Sequence, residues 1–208
     1  MKKYVNLFVF VFMIGACLSQ GRAQTKSAVS YKNPVVDIAM PDPTVIKATD
    51  GYFYVYATES TRNVPIMKSK DLVEWTYCNT AFTNKTRPRF EPKAGIWAPD
   101  INYINGKYVL YYAMSVWGGE QTCGIGVATA DSPQGPFTDH GKMFRSNEIG
   151  VQNSIDPSLL QYEGRNYLVW GSFRGIYVIE LTADGLSIMP GAKKKRIAGT
   201  AFEAVYIH

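Results

Sequence analysis

Three stretches of this chain align with one another, and a fourth copy begins near its end. Asp42-Pro-Thr-Val-Ile-Lys-Ala-Thr-Asp-Gly51-Tyr-Phe-Tyr-Val-Tyr-Ala57 matches Asp100-Ile-Asn-Tyr-Ile-Asn-Gly106-Lys-Tyr-Val-Leu-Tyr-Tyr-Ala113. It matches again Asp156-Pro-Ser-Leu-Leu-Gln-Tyr-Glu-Gly164-Arg-Asn-Tyr-Leu-Val-Trp-Gly171, and Glu203-Ala-Val-Tyr-Ile-His208 opens the fourth. The heads Asp42, Asp100, Asp156 and Glu203 lie 58, 56 and 47 residues apart. That period suits a four-stranded propeller blade with variable loops better than the shorter helical repeats. Each unit reads as an acid, a short apolar strand, a Gly-containing tight turn and an aromatic-rich strand, which is a β-hairpin. Further strands are expected over Val64–Lys68, Glu74–Tyr77, Gly124–Thr129 and Gly175–Leu181. No stretch carries a long helical period, so the fold class is all-β. The first strand of a propeller blade lines the central axis, so an acid at the head of every repeat brings several carboxylates to one end of that axis. Turn formation explains Asp42-Pro43 or Asp156-Pro157 singly. It accounts less readily for an acid at all four heads.

Composition narrows the function. With 46% hydrophobic and 19% charged residues among 208, the chain can bury a core and is neither disordered nor collagen-like. Aromatics at 13% favour strands and provide flat platforms for ligands. The formal charge of +5 is partly that of the N-terminal segment, because three of the 22 basic residues are Lys2, Lys3 and Arg22. The other 19 stand against 17 acidic residues, about +2, which makes no electrostatic case for nucleic acid. Lys193-Lys-Lys-Arg196 is the only basic run and is expected to be a solvated loop.

Residues 1–23 have the charged start, the apolar run from Val5 to Leu18 and the small residues Gly21 and Ala23 of a secretory signal, with 24–208 as the exported domain. The apolar run is too short for a comfortable membrane span. Cleavage after Ala23 is one reading; the other takes Ile14-Gly-Ala-Cys17 as a lipobox, in which Cys17 carries the lipid anchor and is the only membrane attachment. The destination is then periplasmic, extracellular or the bacterial cell surface. Cys78 and Cys123 are either a single disulfide or two buried thiols, and neither has zinc-site spacing. His140 sits in the turn-like Asp139-His140-Gly141 and reads as a surface residue.

Clustered carboxylates suggest glycosidic-bond cleavage. One carboxylic acid must protonate the leaving oxygen while one carboxylate activates water or attacks carbon. A third carboxylate nearby raises the acid's pKa by like-charge repulsion.

Met40-Pro-Asp-Pro-Thr-Val-Ile46, Ile96-Trp-Ala-Pro-Asp-Ile101, Asn153-Ser-Ile-Asp-Pro-Ser-Leu159 and Phe202-Glu-Ala-Val-Tyr-Ile207 resemble, in order, the successive motifs of glycoside hydrolase family 43. The resemblance runs from about Asn33 to the last residue. It implies a five-bladed β-propeller, of which about three blades and the first strand of a fourth are present, and an inverting hydrolase of arabinose- or xylose-containing plant polysaccharides. Ile66–Trp75 and Gly171–Leu181 most resemble the arabinanases, which cut α-1,5-linked arabinan. A β-xylosidase or α-L-arabinofuranosidase of the same family is the alternative substrate reading, and an inactive carbohydrate-binding propeller fragment is the alternative of another class.

Position by position, the resemblance implies Asp42 as general base, Asp156 as the carboxylate that orients the acid and raises its pKa, and Glu203 as general acid. Asp100 becomes a structural or substrate-edge residue. Trp97 and Trp117 are candidates for stacking on sugar, with blade-core packing as the other reading. Asn153, Ser172 and Phe173 are candidates for substrate contact because they adjoin matched motifs. The chemistry requires no cofactor. The family's arabinanases commonly hold a metal, often calcium, in the channel with help from a histidine. Neither His140 nor His208 matches that position, so no metal ligand is assigned and a structural calcium belongs to the complete propeller. Two departures stand out. Fewer than five blades implies a truncated sequence with open sheet edges, and Ala204-Val205 replaces the family's small residue and proline, leaving Glu203 on a frayed end.

Overall fold

A computed structural model describes residues 30–207. The export segment 1–23 with Cys17, and His208, lie outside the described residues. Three four-stranded antiparallel sheets follow one another along the chain, each with its strands in sequence order. The first holds β1 (Thr44–Lys47), β2 (Phe53–Tyr56), β3 (Pro65–Ser69) and β4 (Trp75–Thr80). The second holds β5 (Gly95–Ile104), β6 (Lys107–Ser115), β7 (Gly124–Ala130) and β8 (Thr138–Arg145). One helical turn, α1 (Ser146–Ile149), leads to the third, with β9 (Ser158–Tyr162), β10 (Arg165–Trp170), β11 (Ile176–Leu181) and β12 (Lys195–Ala198).

The repeated hairpin forms where its glycines demand it. Ile104 pairs with Lys107 and Tyr162 with Arg165, so Asn105-Gly106 and Glu163-Gly164 are two-residue loops. All four loop residues have positive φ, from 48° to 83°, which is the type I′ geometry whose twist matches the flanking strands. The first hairpin turns through a longer loop between Lys47 and Phe53.

Burial explains the order of the strands. Every residue of β6 except Lys107 is buried, because the second sheet lies between the other two. Its alternate side chains separate accordingly. Tyr108, Leu110, Tyr112 and Met114 join Tyr54, Tyr56, Ile66 and Phe82 in the core between the first and second sheets. Val109 and Tyr111 join Ile125, Phe144, Leu168 and Trp170 in the core between the second and third. The last strand of each sheet is its wet edge, with the alternating burial of a half-exposed strand in β8 and little burial in β12. Those two strands were not expected from sequence. His140 lies exposed in β8, where its Nε2 pairs with Thr129 Oγ1 at 2.7 Å. Lys195 and Arg196 of the basic run form β12 instead of a loop, and their charges sit on an edge strand, where charge discourages edge-to-edge pairing.

The first strands converge as in a propeller, with β1 beside β5 and β5 beside β9. At the head of each, one non-glycine residue takes the left-handed conformation: Asp42 (φ 49°), Ala98 (φ 40°), Asp156 (φ 55°) and Ala204 (φ 51°). The first three precede proline, which disfavours the right-handed helical region for the residue before it. This backbone signature corrects the repeat register. The counterpart of Asp42 in the second sheet is Ala98, and Asp100 lies two residues farther, level with Thr44 and Ser158. In the fourth unit Glu203 precedes the equivalent residue, Ala204. The segment from 201 to 207 forms no strand, which departs from the expected first strand of a fourth blade. It crosses the head of the third sheet, where Phe173 N–H donates to Phe202 O at 2.8 Å. No described strand lies alongside it to accept a ladder.

Cys78 and Cys123 are both free thiols. Cys78 lies in the outer strand β4. Cys123 is buried ahead of β7 with its Sγ 3.1 Å from Ser146 Oγ.

Candidate active site

The heads of the first strands open into a cleft of about 600 Å³. Asp42, Asp156 and Glu203 all line it, as do Trp97, Trp117, Asn153, Ser172 and Phe173. Nearly every candidate named from sequence is therefore brought to one place, although Asp42 and Glu203 are far apart in the chain.

Each carboxylate has its own donor. Asp42 Oδ2 accepts from Thr58 Oγ1 at 2.5 Å, and that hydroxyl also accepts from Ala98 N–H at 2.6 Å. Asp156 Oδ2 accepts from Ala204 N–H at 3.2 Å. Glu203 Oε2 accepts from the buried Ser172 hydroxyl at 3.4 Å. Burial, together with the neighbouring charges of Asp42 and Glu203, pushes the Asp156 carboxyl up to about 6, against the opposing Ala204 N–H.

The walls are aromatic. Trp117 is 94% exposed and its ring centroid lies 5.7 Å from that of Trp97, tilted by 52°. Neither ring is in the blade core, so the packing alternative does not hold for them. Phe173, also in the lining, stands exposed at φ 52°. It follows the turn at Gly171, which has φ 123° and lies so close to Gly175 O that a Cβ there would meet it at 2.2 Å. Asn153 Nδ2 donates to Ser172 O at 2.9 Å, so this residue braces the wall.

Asp100 does not line the cleft, which corrects its placement among substrate contacts. It is 8% exposed, and its Oδ2 accepts from Leu159 N–H and Asn102 Nδ2, both at 2.7 Å. The bond to Leu159 ties β5 to β9. Burial pushes the Asp100 carboxyl up to about 6 despite those donors.

Two functional positions were missed from sequence. Thr58 follows β2 and carries no motif of its own. Glu120 lines the cleft and is held by Arg174 through two bonds of 3.0 and 3.1 Å and by Gln152 Nε2 at 2.5 Å. An acid in the Gly-Gly-Glu loop beside Trp117 was the available signal. No Lys or Arg among the described residues lines the cleft, which leaves it acidic. Among the described residues no group of three or more His, Cys, Asp or Glu is placed to hold a metal ion.

Successive sheets that direct their first strands to one axis, with acids and aromatics gathered at the strand heads, define a propeller-type protein with a carboxylate-lined cleft. The chain belongs to glycosyl hydrolases family 43, whose family model matches residues 31–208. It is 38% identical over 140 residues to the extracellular endo-alpha-(1->5)-L-arabinanase 1 of Bacillus subtilis, covering 64% of this chain and 43% of that protein. It is 32% identical over 137 residues to arabinan endo-1,5-alpha-L-arabinosidase A of Aspergillus niger, covering 64% and 41%. The fold is similar to that of Cellvibrio cellulosa alpha-L-arabinanase complexed with arabinohexaose, with a TM-score of 0.68 and 28% identity over 78% of this chain and 54% of that one. The matched region thus spans about two-fifths of the length of these curated relatives.

Proposed function

We propose that this chain carries the carboxylate set of an exported, inverting glycoside hydrolase that cleaves α-1,5-linked L-arabinan. The observation that carries the reading is the convergence of Asp42, Asp156 and Glu203 on one acidic, aromatic-walled cleft. In this scheme Asp42 takes a proton from a water that attacks the anomeric carbon. Glu203 gives its proton to the departing glycosidic oxygen, so that one C–O bond forms as the other breaks. Asp156 shares the acid's surroundings and, by like-charge repulsion, favours the protonated form of Glu203 before cleavage. The exposed Trp117 and Phe173 provide apolar faces for sugar rings. These steps draw on no cofactor. Five-bladed closure of the propeller and export through residues 1–23 complete the reading, and the extracellular Bacillus subtilis relative supports export.

The test is product release from linear arabinan by the wild-type protein and by Asp42→Ala and Glu203→Ala. Each variant is expected to lose at least about 100-fold in kcat, in line with general acid–base contributions. Product anomers read by NMR should show inversion. Undiminished turnover in either variant would remove the role assigned to that residue, and preferential release from arabinoxylan would move the substrate to the xylosidase or arabinofuranosidase class.

A further inference from the structure

We infer that Thr58 is a positioning residue that orients the Asp42 carboxylate and holds it with one oxygen free. The inference rests on the hydrolase reading above. Thr58 directly follows the end of the first hairpin, and its own N–H donates to Pro41 O at 2.9 Å, which fixes it beside the backbone that carries Asp42. Its Oγ1 makes two bonds: it accepts from Ala98 N–H at 2.6 Å and bonds Asp42 Oδ2 at 2.5 Å. A backbone N–H can only donate, and a hydroxyl has one proton. With Asp42 ionised, as the role of general base requires, the Thr58 proton is directed at its Oδ2.

The consequence is a fixed orientation of the Asp42 carboxylate. Asp42 lines the cleft with Asp156, Glu203 and Glu120, and lines a second hollow with Asp156 and Asp100. Glu120 is paired with Arg174. Neighbouring carboxyls disfavour one another's charged forms, so a donor held against Asp42 favours the charge that its role as base requires. A short O–H bond to a carboxylate is among the stronger hydrogen bonds a protein offers. Only Oδ2 of Asp42 is engaged, and among the described residues no donor is bound to Oδ1, which can face water. Ala98 and Asp42 stand at equivalent left-handed positions of neighbouring sheets. The relay therefore couples the head of the second sheet to the base carried by the first.

The experiment is kcat/KM against pH on linear α-1,5-arabinan for wild type, Thr58→Val and Thr58→Ser. Valine keeps the shape and removes the hydroxyl; serine keeps the hydroxyl. The expected result for T58V is an acidic limb displaced upward by about one pH unit and kcat reduced roughly ten-fold or more, with KM within about two-fold, while T58S follows the wild-type profile. Thr58→Ala, which introduces no added bulk, gives the same reading if T58V folds poorly. A T58V or T58A profile superimposed on wild type would overturn the inference alone. Equal impairment of T58V and T58S with an unmoved limb would also overturn it, by showing a packing role. Absence of arabinan turnover in wild type would overturn the hydrolase reading, and this role with it.

Discussion

Asp100 holds a carboxyl in the interior because the Leu159 N–H across the sheet boundary and the Asn102 amide of its own strand find their acceptor there. Replacing it with alanine strands the buried Leu159 N–H and is expected to cost about 1–3 kcal/mol, read by denaturant unfolding. Asp100→Asn keeps an acceptor oxygen in place and removes the buried charge, so at pH 7.5 it is expected to match or exceed wild-type stability. The contrast separates the need for a hydrogen bond from the need for charge. A variant with asparagine that fell as far as alanine would contradict it. Asp100 also shows how a repeated letter misleads: it occupies a strand position level with Thr44 and Ser158, while the head of its repeat is Ala98.

Among elements, one buried ion pair reinforces the join between the first and second sheets. Arg87 forms two bonds to the Glu59 carboxylate, and both side chains are nearly buried, at 7% and 9% exposure. Glu59 also accepts from Asn63 N–H at 2.7 Å and Ile96 N–H at 2.9 Å, while Arg87 donates to Ala94 O at 2.8 Å. Burial alone would raise the Glu59 carboxyl; Arg87 and the two amides outweigh it and hold the group below its usual range. The pair ties the loop after β2 to the start of β5. Arg87→Met leaves a buried carboxylate without its cation and is expected to cost about 3–5 kcal/mol, whereas the Glu59→Met/Arg87→Met double variant is expected to recover much of that loss. Chemical denaturation of both variants provides the check. The hairpins that open the second and third sheets were legible in sequence because Asn105-Gly106 and Glu163-Gly164 have the backbone freedom of tight turns between apolar runs. Edge strands β8 and β12 were not, because a strand exposed on one side can carry Thr-Asp-His-Gly-Lys or Lys-Arg without cost, and such runs read as loop.

For the whole molecule, the buried carboxyls set the pH dependence of folding. Asp100 and Asp156 are both raised from 3.8 to about 6, so the folded chain binds more protons than the unfolded one between those values. Their contribution to stability is greatest below about pH 4 and declines as pH rises through 6. Glu59, lowered from 4.5, has the opposite sign: its contribution is present above that pH and is lost on further acidification. The thermal midpoint is therefore expected to be higher near pH 5 than at pH 7.5, and to fall again below about pH 4. Calorimetry across that range tests the sign, and Asp100→Asn should narrow the difference between pH 5 and 7.5. A midpoint that rose steadily from pH 5 to 7.5 would mean that these two carboxyls do not dominate.

The sequence by itself determined the all-β class, the hairpin at the centre of each repeat and the acids that reach the cleft, since strand period, turn glycines and Asp-Pro heads are local patterns. Tertiary structure alone decided which acids share a site and which serve the frame. Thr58 meets Ala98 across 40 residues, and Asp100 meets Leu159 across 59. Neither pair leaves a periodic trace in the chain, because each exists only where neighbouring sheets are brought side by side. Hydrogen-bond direction, burial and the resulting orientation of carboxylates are properties of that packing, and they decide the chemistry at the strand heads.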